Sequence, residues 1–135
     1  MESLCPLLPP DKLNGLSTLA MAHVGDGVFE LMVRTRLCLP GGITAARLHR
    51  ETVSHVRAET QAGYARLLLE TLTPEERSVF TRGRNTATNS QPKGATRAEY
   101  QLATALEALW GHLYLSGQTA RLDELFALLP IGGQP

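Results

Sequence analysis

The sequence lacks the residue groupings on which several common protein functions depend. Its two cysteines, Cys5 and Cys38, do not form the short spacing of a metal site. Its four histidines include no HExxH element, so a zinc enzyme is not expected. A Walker loop, a dinucleotide-binding glycine motif and a GxSxG element are also missing, which argues against nucleotide-binding and serine-hydrolase functions.

Long apolar runs and an excess of charge are missing as well. No segment approaches the roughly 20 apolar residues that a membrane-spanning helix needs, and no signal peptide is recognisable. With so few cysteines, we expect a protein of the reducing cytoplasm that binds no membrane. The thirteen basic residues balance the thirteen acidic ones, so only their local distribution can indicate a charged partner.

Helical periodicity is the main pattern present, without strand-like alternation or internal repeats. A chain of 135 residues favours one compact domain, which we assign to residues 13–130. Residues 1–12 contain three prolines and are predicted to be an extended or disordered lead-in, and residues 131–135 to be a tail. The sequence therefore predicts an all-α domain of five or six helices.

Capping and stop signals position the predicted helices. Threonines precede three of them, and Thr73 and Thr96 have a glutamate three residues later, as in a capping box. The first helix should end at a Pro-Gly-Gly turn, and the second is long enough to suggest an internal break. The polar stretch 82–96 is predicted to be a loop. The predicted helices cover residues 13–39, 44–70, a short segment after 73, 96–115 and 120–129.

Asp26 lies between Gly25 and Gly27 on a mainly apolar face of the first predicted helix. Each glycine costs a helix about 1 kcal/mol relative to alanine, so two of them suggest that another element approaches this backbone closely. Two interpretations stay open from this helix alone. Asp26 is either a functional carboxylate or the N-cap of a helix that starts at this point.

Glu107 is a second carboxylate on a largely apolar helix face. Burying an unpaired carboxylate costs several kcal/mol, so each group must be neutralised, paired with a cation or bound to a metal. An arginine from another helix could pair with Asp26 or with Glu107. If the two carboxylates converge instead, magnesium suits them, because Mg²⁺ prefers oxygen ligands and retains several waters.

Two stretches without acidic residues concentrate the basic side chains. Such stretches are common sites of phosphate contact, although a solvated surface is an equal alternative. The first stretch lies between Glu76 and Glu99, and its candidate phosphate-binding residues are Arg82, Arg84, Asn85, Lys93 and Arg97. The second surrounds the Pro-Gly-Gly turn, and its candidates are Arg34, Arg47 and Arg50.

Two histidines lie near the candidate carboxylates in the sequence. His23 precedes Asp26 by three residues, and His112 follows Glu107 by five. Either histidine could line the same cleft, although ordinary packing is the simpler explanation.

Two segments together resemble a known protein family. AHVGDGVFELMVRTRL, at residues 22–37, is similar to the signature helix of ribonuclease III domains, and ATALEALWGHLYLSG, at 103–117, is similar to their second carboxylate helix. The similarity extends from about residue 16 to 128. The closer match is the Mini-ribonuclease III subfamily, whose members consist of the catalytic domain alone and whose own features the LHRETVSHVRAETQA and RGRN segments resemble.

The resemblance implies a ribonuclease III-like endonuclease domain of five to seven helices that forms a homodimer. It implies hydrolysis of both strands of double-stranded RNA with Mg²⁺, for which Mn²⁺ can substitute, leaving 5′-phosphates. Asp26 and Glu107 match the two carboxylate motifs, so both are expected to be catalytic residues and metal ligands. Two further carboxylates of larger family members are replaced here by Ala22 and Thr104, as is typical of the subfamily.

The resulting hypothesis is a magnesium-dependent endoribonuclease, with the precursor of large-subunit (23S) ribosomal RNA as the implied substrate. We expect no double-stranded-RNA-binding domain beyond the last predicted helix, so the basic stretches should provide the RNA affinity. The alternative is a non-catalytic helical module that binds structured RNA or a ribosome-assembly partner through residues 82–97. The replacement of two family carboxylates keeps this alternative open.

Overall fold

A computed structural model describes residues 8–87 and 94–132 of the protein. These residues form seven α-helices and no strand, which confirms the predicted all-α class. None of these helices is long and apolar enough to cross a membrane. The helices are α1 (Pro10–Asn14), α2 (Thr18–Cys38), α3 (Ala45–Val56), α4 (Ala58–Leu68), α5 (Pro74–Thr86), α6 (Arg97–Leu115) and α7 (Thr119–Ala127), with a 3-10 turn over Leu69–Thr71.

The region before α2 differs from its prediction. Residues 10–12 belong to α1, so the expected extended lead-in over 1–12 is wrong for these three residues; residues 1–7 lie outside the described part. Pro10 permits a helix here because a proline at the first helical position lacks only an N–H that has no helical partner. The long first helix is also interrupted, since α2 begins only after Ser17, whose side chain accepts a hydrogen bond from Ala20 N–H.

The second predicted helix contains the break that its length suggested. The Thr44 side chain caps α3 by accepting a hydrogen bond from the N–H of Arg47, as predicted. Arg57 then adopts extended backbone angles (φ −69°, ψ 156°), and α4 begins at the next residue. The change of direction at Arg57 allows α4 to pack against α6.

Both predicted capping boxes are present and define the starts of α5 and α6. Thr73 and Glu76 exchange side-chain and backbone hydrogen bonds at α5, and Thr96 and Glu99 do the same at α6. The helix starts were predictable because both partners of each box lie within four residues of sequence.

The end of α5 was predicted wrongly. The helix continues to Thr86, so Arg82, Arg84 and Asn85 lie on a helix and not in the expected loop. The reason is tertiary packing at Gly83, where an added Cβ would come within 2.8 Å of the Ala105 Cα atom. This glycine allows the last turns of α5 to pack directly on α6.

The core surrounds α6, against which α2, α4 and α5 pack. The rings of Phe29 and Trp110 are fully buried and stack with their centroids 5.6 Å apart and an interplanar angle of 5°. Each of these residues follows a candidate carboxylate by three positions, so the stack fixes α2 relative to α6 close to both. Ile131, which was expected in the tail, is also fully buried in this core.

Candidate active site

α2 crosses α6 where both helices carry a glycine. A Cβ atom at Gly25 would overlap the backbone carbonyl oxygen of Glu107, and one at Gly111 would overlap that of Met21. The two backbones are therefore in direct contact, which requires the absence of a side chain at both glycines. Gly27 has open space where its Cβ would lie, so this crossing explains only the first glycine of the GDG segment.

The crossing brings the two candidate carboxylates together. Asp26 lies in the interior of α2, well after the cap at Ser17, so the interpretation of Asp26 as an N-cap is wrong. Its side chain is exposed, whereas Glu107 is half-buried. The two carboxyl groups are within hydrogen-bond reach of each other.

The environment of Glu107 disfavours its charge. Burial, followed by the negative charge of Asp26 and the hydrogen bond between the carboxyl groups, raises the pKa of Glu107 to about 8. The hydrogen bond from Gln61 acts in the opposite direction. Within residues 8–87 and 94–132, no ion pair involves Asp26 or Glu107, so the expected arginine pairing is not formed there. The result is a carboxyl pair that repels itself when both members are ionised.

Gln61 contacts this pair from α4. It is almost fully buried, and its Nε2 atom donates to Oε2 of Glu107 at 3.3 Å and to the carbonyl oxygen of Val56 at 2.9 Å. Gln61 was not among the residues singled out from the sequence. A signal was available, because this amide shares the buried face of α4 with Ala65 and Leu68, the same kind of anomaly that drew attention to Asp26.

Comparisons with known proteins identify the family to which this chain belongs. A family model for the ribonuclease III domain matches residues 19–118. The chain belongs to the ribonuclease III family. It is 38% identical to the Mini-ribonuclease 3 of Thermoanaerobacter sp. over 90% of this chain and 86% of that protein. For the Mini-ribonuclease 3 of Thermosynechococcus vestitus the values are 44%, 93% and 82%.

A solved structure gives the same result for the fold of this ribonuclease III domain. The crystal structure of protein FN1578 from Fusobacterium nucleatum matches with a TM-score of 0.76 at 27% sequence identity, covering 84% of this chain and 91% of that one. The predicted ribonuclease III-like fold is therefore confirmed. The chain is an endoribonuclease of the ribonuclease III type, which acts on double-stranded RNA, and the non-catalytic alternative is not retained.

The carboxyl pair of this ribonuclease III domain is suited to a divalent metal. Carboxylate oxygens are the ligands that Mg²⁺ prefers, and Mg²⁺ is commonly held by one or two of them together with waters. No group of three or more histidine, cysteine or acidic side chains suitable for a metal occurs in the described ranges. Thr104, which stands where larger family members have a carboxylate, donates its hydroxyl hydrogen to the carbonyl oxygen of Tyr100 one turn earlier.

The basic residues expected to contact RNA differ in whether they form ion pairs with acidic residues. Arg34 forms an exposed ion pair with Glu30 at 3.0 Å, and Arg47 forms one with Glu51 at 3.2 Å. By contrast, Arg82 and Arg84 form no ion pair with any residue that the structure describes. Of the remaining candidates, Asn85 and Arg50 are exposed on α5 and α3, Arg97 is the first residue of α6, and Lys93 lies outside the described residues.

The two histidines near the carboxylates in sequence have different surroundings. His23 is exposed on α2, one turn before Asp26. His112 is buried, with its Nε2 atom 3.4 Å from Oε1 of Glu75 but without hydrogen-bond geometry. Glu75 lies at the start of α5. His112 follows Glu107 by five positions, which puts these two residues on different faces of α6. His112 therefore belongs to the packing of α5 on α6.

Proposed function

We propose that the protein hydrolyses phosphodiester bonds in both strands of double-stranded RNA with Mg²⁺ held by Asp26 and Glu107, and that Mn²⁺ can replace Mg²⁺. The observation that carries this proposal is the contact between the two carboxyl groups, which have no positive partner among the described residues. Such a pair is favourable only when one member is protonated or a cation lies beside both. A raised pKa of Glu107 is the expected property of the cation-free pair.

The contribution of the chain is to hold these groups in place. When bound, the metal would activate a water molecule and offset the negative charge that develops on the phosphate. The glycine contact between α2 and α6 keeps Asp26 next to Glu107, and the Gln61 amide holds the Glu107 carboxyl group. Hydrolysis by water requires no cysteine or serine nucleophile, and it leaves 5′-phosphates in the reaction implied by the resemblance.

We further propose a homodimer formed through an apolar groove on α2. The groove measures about 420 Å³, and Leu31 on its wall is 66% exposed. The family works as a dimer, and twofold pairing through this face would carry two carboxyl pairs to one duplex. The open space beside Gly27 fits this role, since a side chain would narrow the groove. The groove is lined by Val24, Gly27, Val28, Leu31, Met32, Tyr114, Thr119, Leu122 and Asp123.

RNA contact is proposed for the basic end of α5. Arg82 and Arg84 are exposed and free of acidic partners among the described residues, so their charge is available to phosphates. Asn85, Lys93 and Arg97 would extend this surface, and Arg34, Arg47 and Arg50 form a secondary candidate. Precursor 23S ribosomal RNA in the cytoplasm remains the proposed substrate, supported by the subfamily resemblance.

Substitution of the carboxylates tests the proposal. Asp26→Asn and Glu107→Gln keep the side-chain shape but remove the charge that a cation needs. Both variants should lose Mg²⁺-dependent cleavage of a duplex while binding it, in Ca²⁺, within a few-fold of the unmodified protein. Glu70→Gln, an exposed residue after α4, is the control and should cut normally. Near-normal cleavage by either site variant, or by the unmodified protein in EDTA, would disprove the assignment.

A further inference from the structure

Gln61 has one polar atom that the packing of the described residues leaves without a partner. Both hydrogens of its Nε2 atom are used, by the carbonyl oxygen of Val56 and by Oε2 of Glu107. Its Oε1 atom is buried and accepts no hydrogen bond from any residue that the structure describes. The side chain as a whole is only 1% exposed, so bulk solvent does not compensate for the missing donor.

The orientation of this amide is fixed by its surroundings. The backbone carbonyl of Val56 can only accept a hydrogen bond, so the nitrogen and not the oxygen of Gln61 must face it. The Oε1 atom of Gln61 therefore faces away from the carbonyl oxygen of Val56, while Nε2 of the same amide contacts Glu107. A buried carbonyl without a donor destabilises a protein, and an apolar side chain of similar size would avoid that cost.

We propose that Gln61 is a positioning residue for the metal site, because its Nε2 atom, anchored on the carbonyl oxygen of Val56, holds the carboxyl group of Glu107 beside Asp26. The inference rests on the proposed function, since it takes Asp26 and Glu107 as the metal ligands. A Mg²⁺ ion bound by only two carboxylates depends on the orientation of each, and the Nε2 atom of Gln61 fixes the orientation of Glu107. Residues that orient metal ligands typically change metal affinity by about 10–100-fold when they are replaced.

The break between α3 and α4 gives this role a structural basis. Val56 is the last residue of α3, and Gln61 bonds to it from the first turns of α4 across the extended residue Arg57. The amide therefore connects the helix break to the carboxyl pair. The position of the Gln61 amide is set by a backbone carbonyl at the end of α3. A side chain anchored in this way is rigid, as a positioning residue must be.

Gln61→Met tests the proposal, because methionine is unbranched and similar in length but offers no amide. Gln61→Leu is the second variant, and Thr52→Val is the matched control. Thr52 is also buried, and its hydroxyl donates to the carbonyl oxygen of Leu48, away from the carboxyl pair. The measurements are Mn²⁺ affinity by calorimetry, melting temperature in EDTA, and the Mg²⁺ concentration that gives half-maximal cleavage.

Both Gln61 variants should bind Mn²⁺ about 10–100-fold more weakly and need correspondingly more Mg²⁺ for cleavage. Their melting temperatures in EDTA should change little, because removal of the unpaired carbonyl offsets the loss of the hydrogen bonds to Val56 and Glu107. Thr52→Val should bind Mn²⁺ normally. Melting at much lower temperature with unchanged Mn²⁺ affinity, or failure of both variants to fold, would show that Gln61 acts only in packing.

Asp26→Asn, measured in parallel, separates failure of this inference from failure of the proposed function. If Asp26→Asn loses Mn²⁺ binding while both Gln61 variants keep it, the metal site stands and the role of Gln61 is wrong. If Asp26→Asn also binds Mn²⁺ normally, the proposed metal site is wrong and the inference about Gln61 falls with it.

Discussion

The carbonyl oxygen of Glu107 occupies the space that a Cβ atom at Gly25 would need, so the two helices that carry the carboxylates touch through their backbones. Asp26, the next residue along α2, thereby lies within hydrogen-bond reach of the Glu107 side chain. The spacing of the carboxyl pair consequently depends on a glycine that takes no part in any chemistry.

Replacement of Gly25 by alanine should lower both stability and cleavage. The methyl group would force α2 away from α6, and overpacking of this kind typically costs about 1–3 kcal/mol. Gly63→Ala is the control, because Gly63 lies inside α4 with open space around its Cβ position, and alanine there should stabilise the helix by about 0.5–1 kcal/mol. Urea unfolding should therefore shift in opposite directions for the two variants. A shift in the same direction would contradict the backbone contact.

The raised pKa of Glu107 should make the stability of the metal-free protein depend on pH. The folded state keeps the Glu107 proton up to a pKa of about 8, whereas the unfolded chain loses it near the ordinary value of 4.5. The contribution of this bound proton to the free energy of unfolding is therefore fully present below pH 4.5, and it is lost as the pH rises through 8. In EDTA, the melting temperature should fall over this range more steeply for the unmodified protein than for Glu107→Gln. Parallel curves would argue against the carboxyl contact.

Introduction of a charge into the apolar groove should prevent dimer formation. Leu31→Glu would bury a carboxylate in the proposed interface, and we expect a monomer at micromolar concentration that no longer makes paired cuts. Leu67→Glu is the control, since Leu67 is also exposed (53%) but lies on α4. Sedimentation velocity shows whether each variant is a monomer or a dimer. If the unmodified protein is itself monomeric while making paired cuts, the dimer proposal is wrong.

The double variant Arg82→Ala, Arg84→Ala should weaken binding to all RNA duplexes alike. Each lost phosphate contact should reduce the slope of log affinity against log salt by about one. The variant Arg34→Ala, Arg47→Ala should have a smaller effect, because both arginines already pair with glutamates. The affinity of each double variant for a duplex, measured across a salt series in Ca²⁺, gives both the loss of affinity and the salt slope. The reverse order of effects would place the RNA on the second basic stretch.

Local signals account for what the sequence predicted correctly. The capping boxes at Thr73 and Thr96 depend on residues a few positions apart, and the structure contains both. The length of the second predicted helix suggested a break but not its position, which the structure shows to be Arg57. Asp26 and Glu107 stood out because a carboxylate on an apolar helix face needs an explanation. The sequence could suggest that they lie close together but could not establish it, since their proximity depends on how α2 crosses α6.

Long-range packing accounts for what the sequence did not reveal. Gly83 looked like a turn former in the RGRN segment, but its contact with Ala105 extends α5 by a full turn and moves Arg84 onto a helix. Gln61 was overlooked because its partners, Val56 and Glu107, become its neighbours only after α4 has packed. In each case the deciding atom belongs to another helix.

The central claim is that a divalent metal binds between Asp26 and Glu107. Crystals grown with Mn²⁺ and measured at the manganese absorption edge test this claim most directly. We expect an anomalous peak in contact with a carboxylate oxygen of each residue, and we expect this peak to disappear in Asp26→Asn. A peak elsewhere on the molecule, with the two carboxyl groups still hydrogen-bonded to each other, would contradict it.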